Sequence, residues 1–111
     1  MATISKSSGL VTLINVFTVE PGRQQQLLDL LALATETSVR HVPGFVSAAL
    51  HRSLDGTKVA MYAQWRSVAD YQAMRANPVA LPYMQQALAL AKFEPGMYEV
   101  VETYAAENGN A

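Results

Sequence analysis

The chain is predicted to be an α+β protein of ferredoxin-like order, β-α-β-β-α-β, with one antiparallel sheet and helices on one of its faces. Three observations predict it. Residues 42–65, VPGFVSAALHRSLDGTKVAMYAQW, read as two strands joined at Leu54-Asp55-Gly56, because Asp-Gly between apolar runs is a strong hairpin signal. Apolar residues recur at helical spacing on either side of that hairpin. Segments rich in β-branched and aromatic residues lie near both ends of the chain.

The elements follow in order. Leu10 to Val19 is rich in Val, Ile, Leu, Phe and Thr, which suits a strand. Pro21-Gly22 breaks it, and Pro21 suits the first turn of a helix. From Arg23 to His41, Leu27, Leu30, Leu31 and Ala34 recur at helical spacing. Val42-Pro43-Gly44 ends that helix, since a residue before proline avoids the α region. After the hairpin, Ser67-Val68-Ala69-Asp70 forms a capping box that opens a short helix to about Ala76. Asn77-Pro78 restarts a helix, with asparagine as N-cap and proline at N1. It continues through Leu81, Met84, Leu88 and Ala91 and ends near Lys92. Pro95-Gly96 then turns the chain into a last strand, Met97 to Tyr104. Residues 1–111 are taken as a single domain, with a core of about residues 10–104 and frayed ends.

Composition narrows the function classes. Half of the 111 residues are hydrophobic and 15% are charged, against roughly 25% charged in typical domains. The net charge is −1, with no basic run, which argues against nucleic acid as a partner. No cysteine is present, so disulfides, thiolate catalysis and cysteine-ligated metals are excluded. The longest apolar runs fall far short of the roughly 20 residues that span a bilayer, and the N-terminus lacks the apolar segment of a signal peptide. A cytoplasmic protein that does not enter membranes is expected. The strands alternate apolar and polar residues only weakly, so both faces of the sheet need cover. Its own helices cover one. An identical sheet across a two-fold axis is the simplest cover for the other, and a homodimer is expected.

Pro43-Gly44-Phe45, the strand carrying His51, Asp55-Gly56-Thr57 and Tyr62-Ala63-Gln64-Trp65 together resemble the antibiotic biosynthesis monooxygenase family over about residues 10–104. The resemblance implies a chain that dimerises sheet to sheet into a dimeric α+β barrel. One branch resembles quinone-forming monooxygenases of aromatic polyketides such as anthrones, which use O₂ with no flavin, haem or metal. It implies that His51, Trp65 and Tyr71 are catalytic, in a dry cradle that stabilises an anion and moves a proton. Met61 stands where the family has an asparagine, four residues before the tryptophan. A second branch resembles haem-degrading monooxygenases, matching Asn15 and Trp65. The histidine ligand of that branch falls at or near Met84, and Leu81 to Lys92 contains no histidine, which disfavours it. The alternative from another class is a dimeric ligand-binding or stress-responsive module without chemistry, which the loss of the asparagine at position 61 would fit.

The residues themselves support a similar short roster. Trp65 is a core aromatic or a donor whose indole N–H seeks a substrate oxygen. His51 is a strand histidine whose face depends on the hairpin. A three-residue loop pairs it with Val59, on the face of Met61 and Trp65. A two-residue loop pairs it with Ala60, on the face of Tyr62 and Gln64. The resemblance favours the first. Tyr71 is a packing aromatic or a phenol that holds or protonates a substrate oxygen. Asn15, inside an apolar strand, needs partners. It is expected, with Met61, Tyr62, Tyr83 and Met84, to line the binding site for a small aromatic substrate; Met74 and Met97 read as plastic core or lining. No metal site is expected, since His41 and His51 make no credible ligand pair, and no cofactor is called for.

Overall fold

The computed structural model describes residues 3–6 and 8–107. Four strands form one antiparallel sheet, and the ferredoxin-like order is observed. β1 is Val11–Val19, β2 Phe45–Arg52, β3 Lys58–Trp65 and β4 Ala91–Tyr98, with spatial order β2-β3-β1-β4. The helices α1 (Gln24–Thr37), α2 (Val68–Arg75) and α3 (Leu81–Leu90) supply the apolar cover of one face. The long predicted helix is interrupted at Ser38 and ends in a 3₁₀ turn, Val39–His41. Ser67 caps α2 as expected, its hydroxyl accepting from the Asp70 N–H at 3.1 Å. The Asp70 carboxylate is clamped by the guanidinium of Arg66 and also accepts from Ser67. Both interactions hold its pKa below the ordinary carboxylate value. The Asn77 side chain accepts from Val79 N–H at 2.8 Å, organising a turn just before α3.

Two irregularities decide which residues face the helices. Arg52 pairs with Val59, and the Ser53 N–H donates to the Lys58 carbonyl. The connection is thus the four-residue loop Leu54–Thr57, which has the parity of a two-residue loop. The side chain of Gln24, at the start of α1, donates to the Ser53 and Lys58 carbonyls and braces this neck. Gly56 takes a φ of +82° in the loop, a conformation glycine adopts without steric cost. At the other end of β2, Phe45 pairs with Trp65 but Ser47 pairs with Gln64. Val46 is the extra residue of a β-bulge, which turns Phe45 onto the face of Trp65. Gly44 precedes it at φ +89°, and a Cβ there would lie 2.3 Å from the Asp70 side chain. Only glycine lets the strand begin so close to α2.

The last strand corrects the sequence expectation. It starts at Ala91, directly after α3, and ends at Tyr98 rather than running from Met97 to Tyr104. Pro95-Gly96 lies inside it, with Pro95 opposite Asn15. Proline is tolerated there because β4 is an edge strand, where a missing N–H need not break a ladder bond. The early start brings Phe93 opposite Phe17, with ring centroids 4.9 Å apart.

The outer face of the sheet has a half-buried apolar centre, Ile14, Val16, Ala49, Ala60 and Tyr62, with exposed His51, Lys58 and Lys92 toward one end. Part of its cover is the chain's own N-terminal segment. Gln64, 4% exposed, donates to the Thr3 carbonyl at 2.6 Å, and Lys6 pairs with Glu102 at 3.0 Å. Residues 1, 2, 7 and 108–111 lie outside the described residues. Among the described residues, no helix is long and apolar enough to cross a membrane.

Candidate active site

Between the sheet and its helices lies a cavity of about 80 Å³. Its floor is Leu13, Asn15 and Phe17 of β1 with Met61, Ala63 and Trp65 of β3. These are the odd-numbered positions of both strands, which the pleat turns to one face. Residues of α1, α2 and α3 form the walls, and Phe45 and Phe93 add aromatic surface. Leu88 lines the cavity and is also half exposed, so the space reaches solvent beside α3. No charged side chain lines it. A larger but open depression, about 450 Å³, lies at the α3–β4 junction beside the end of β1. Aromatic side chains line only the enclosed cavity.

Trp65 sits at the centre of an aromatic group. It is 1% exposed, with edge contacts to Phe45 at 5.5 Å and Tyr71 at 5.8 Å between ring centroids. Its indole Nε1 is buried and has no hydrogen-bond partner. Asn15 Oδ1 is likewise buried and unpartnered. An orphan donor and an orphan acceptor therefore occur in the floor of one apolar cavity. Each costs about 1–3 kcal/mol if left unmatched. A ligand carrying both an oxygen acceptor and an O–H donor is the matching guest.

The Tyr71 hydroxyl accepts from the guanidinium of Arg75 at 3.1 Å, which leaves its own O–H free to donate elsewhere. The Thr37 hydroxyl donates to the Leu33 carbonyl at 2.7 Å and accepts from the Tyr83 hydroxyl at 3.1 Å, tying α3 to α1. Met61, Met74 and Met84 line the remaining wall, and their flexible thioethers suit a flat apolar guest. Met97 packs beside the Trp65 cluster but is not among the lining residues.

Two expected site residues lie elsewhere. His51 pairs with Ala60, is exposed, and its Nδ1 lies 3.3 Å from the Ala60 carbonyl. The resemblance favours the Val59 pairing, but the four-residue loop reverses that parity and turns the imidazole to the outer face. Tyr62 is also on the outer face, where its hydroxyl accepts from Gln64 at 3.2 Å. Neither lines the cavity. Sequence reading missed Phe45, Phe93 and Arg75. The bulge at Val46 hides the first, and a proline within the last strand hides the second. Arg75 carries no local signal, because its relevance depends on contact with another element. Among the described residues, no cluster of three or more acidic or histidine side chains could hold a metal.

A ferredoxin-like sheet with an aromatic-lined hollow under its helices defines a small α+β class with a ligand-sized cavity, and comparison identifies which. The chain belongs to the antibiotic biosynthesis monooxygenase family, whose model matches residues 10–90. It is 47% identical to the tetracenomycin-F1 monooxygenase of Streptomyces glaucescens over 106 residues, 96% of this chain and 95% of that protein. Among solved structures, it is similar to SnoaB, a cofactor-independent oxygenase from Streptomyces nogalater, in a variant form. The TM-score there is 0.78 and the identity 27%, covering 86% of this chain and 97% of that one. It is also similar to the monooxygenase ActVA-Orf6 of Streptomyces coelicolor in complex with nanaomycin D. That match has a TM-score of 0.77 at 27% identity, covering 87% and 92% of the two chains.

Proposed function

We propose that the chain is a cofactor-independent monooxygenase that oxidises an aromatic polyketide-like phenol or enol with O₂. The observation that carries this reading is the pair of unpartnered buried atoms, Trp65 Nε1 and Asn15 Oδ1, in an otherwise apolar cavity. The named activities of the relatives support it. In this reading the substrate's carbonyl or enolate oxygen accepts from the Trp65 indole, and its hydroxyl donates to Asn15. Tyr71 holds the developing oxyanion or returns a proton to it, and the methionines exclude water.

The chemistry belongs largely to the substrate. Deprotonated, an anthrone-type CH₂ flanked by aromatic rings is electron-rich enough to pass an electron to O₂. The radical pair combines to a peroxide at that carbon. Loss of water leaves a carbonyl, so CH₂ plus O₂ becomes C=O plus H₂O. The four electrons lost by carbon are the four gained by O₂. The protein contributes a pocket that favours the anion, orients it and supplies a proton. A tricyclic guest is larger than the present cavity of about 80 Å³, and in this reading the flexible thioethers of Met61, Met74 and Met84 make room for it.

Oxygen uptake with anthrone as substrate tests this, using protein assayed to be free of metal and flavin. Uptake that depends on Trp65 supports the oxygenase. Binding without uptake across a panel of polycyclic phenols would instead favour a ligand-binding module. We further propose that the apolar centre of the outer face, Ile14, Val16, Ala60 and Tyr62, meets its counterpart in a second copy. An obligate interface of that kind buries about 2,000 Å² or more. Light scattering at micromolar concentration should give a dimer, and a monomeric mass would refute it.

A further inference from the structure

The cavity has no charged lining, yet one cation touches its wall from behind. Arg75, half-buried in the last turn of α2, places its guanidinium carbon 5.9 Å from the centre of the Tyr71 ring and 5.7 Å from that of Phe93. Both rings line the cavity. The same guanidinium donates to the Tyr71 hydroxyl at 3.1 Å. Among the described residues it forms no ion pair; the pairs there are Lys6–Glu102 and Arg66–Asp70. Arg75 is thus held by two aromatic faces and a phenol oxygen rather than by a carboxylate.

That arrangement has an electrostatic consequence. An anion placed in an apolar cavity loses its hydration, at large cost unless positive charge or donors face it. Trp65 Nε1 is one neutral donor. Arg75 sets a positive charge against the outer side of two lining rings, buried Tyr71 and half-buried Phe93, so its field reaches the cavity partly screened by solvent. Its hydrogen bond also occupies a lone pair of the Tyr71 oxygen, fixes the hydroxyl and polarises it, so that Tyr71 donates more strongly into the cavity.

We infer that Arg75 is the positioning residue that makes this cavity select ligands in their anionic form, as phenolates or enolates, rather than their neutral isosteres. This rests on the cavity being the substrate site. It would mean that the protein recruits a substrate already deprotonated, or stabilises the deprotonated form on binding, before O₂ is involved.

The test reads binding and needs no turnover. Trp65 is the only tryptophan, so its fluorescence reports occupancy. The probes are 2-hydroxy-1,4-naphthoquinone, an anion at neutral pH, and its neutral methyl ether. Wild type should bind the anion about tenfold more tightly, the equivalent of roughly 1.4 kcal/mol. Arg75→Met should abolish that preference and leave affinity for the methyl ether within about twofold. Arg75→Lys, which keeps the charge but not the planar fork, should retain most of the preference. In turnover, Arg75→Met should raise KM for a phenolic substrate, and Arg75→Lys should restore it. Equal binding of the two probes by wild type would overturn the charge assignment and leave the cavity reading intact. So would equal loss of both probes in Arg75→Met, the mark of a merely structural arginine. Failure of both probes to quench Trp65 in wild type would overturn both readings.

Discussion

The two faces of the sheet treat their buried polar groups in opposite ways. On the outer face the Ser47 hydroxyl donates to Gln64 at 2.6 Å, and Gln64 in turn donates to Thr3 and Tyr62. The polar network is closed. On the helix face, Asn15 and Trp65 are as deeply buried, yet Oδ1 and Nε1 have no partner. A folded chain matches nearly all its buried polar atoms. Ser38 Oγ, outside the cavity lining, is the other buried side-chain atom without a partner among the described residues; in the function proposed above, a guest in the cavity matches the two on the helix face. Burial alone does not distinguish the faces; hydrogen-bond completeness does.

The contrast is open to direct attack. Trp65→Phe keeps the aromatic packing against Phe45 and Tyr71 but deletes the donor. Oxygen uptake should fall about 100-fold, the scale of losing one oxyanion donor, with circular dichroism unchanged. Retained turnover would reduce Trp65 to packing. Gln64→Ala opens the closed network and strands the Ser47 hydroxyl. Urea unfolding should show a loss of about 2 kcal/mol, with turnover per folded molecule preserved. Asn15→Leu should do the reverse. Replacing an orphan acceptor by an apolar group of similar size should leave stability equal or raise it by about 1 kcal/mol, while uptake falls about tenfold. If Asn15→Leu destabilises as Gln64→Ala does, the two faces are not different in kind.

The smallest effect concerns the loop whose parity assigns the faces. Asp55 accepts from the Thr57 hydroxyl, the Thr57 N–H and the Ser53 hydroxyl. These bonds, those of Thr57 first, lower its pKa from 3.8 to about 2. Because the folded value is depressed, the carboxylate's contribution is fully present above the unfolded pKa and disappears as pH falls toward about 2. Asp55→Asn should therefore lose less stability than wild type between about pH 4 and about pH 2. Thermal melts across that window read the difference. Identical slopes would show that the loop is held by other contacts.

Much of this molecule was legible before folding was considered. The strand–helix order, the hairpin and the Ser67 cap follow from local pattern, while the candidacy of Trp65, Tyr71, Asn15, Tyr83, Met61 and Met84 combines side-chain chemistry with what the family resemblance implies. The residues leave the loop parity open; it is the family resemblance that favours the one bringing His51 to the helix face, while Tyr62, a weaker lining candidate, alternates to the face opposite Trp65 in either parity. The face of His51 depends on an alternation that a single loop residue reverses. Local pattern also reads Pro95-Gly96 as a turn, because the rule that proline ends strands is relaxed only at an edge, and edge position is a property of the assembled sheet.

What the chain determines by itself is which residues are available to each strand and helix, since periodicity and capping act over a few neighbouring positions. Which of them share a cavity was decided by a four-residue loop, a bulge at Val46 and the edge position of β4. Contacts such as Arg75 over Phe93 arise between segments far apart in sequence. Their geometry is the sum of every intervening register, and no local pattern encodes that sum.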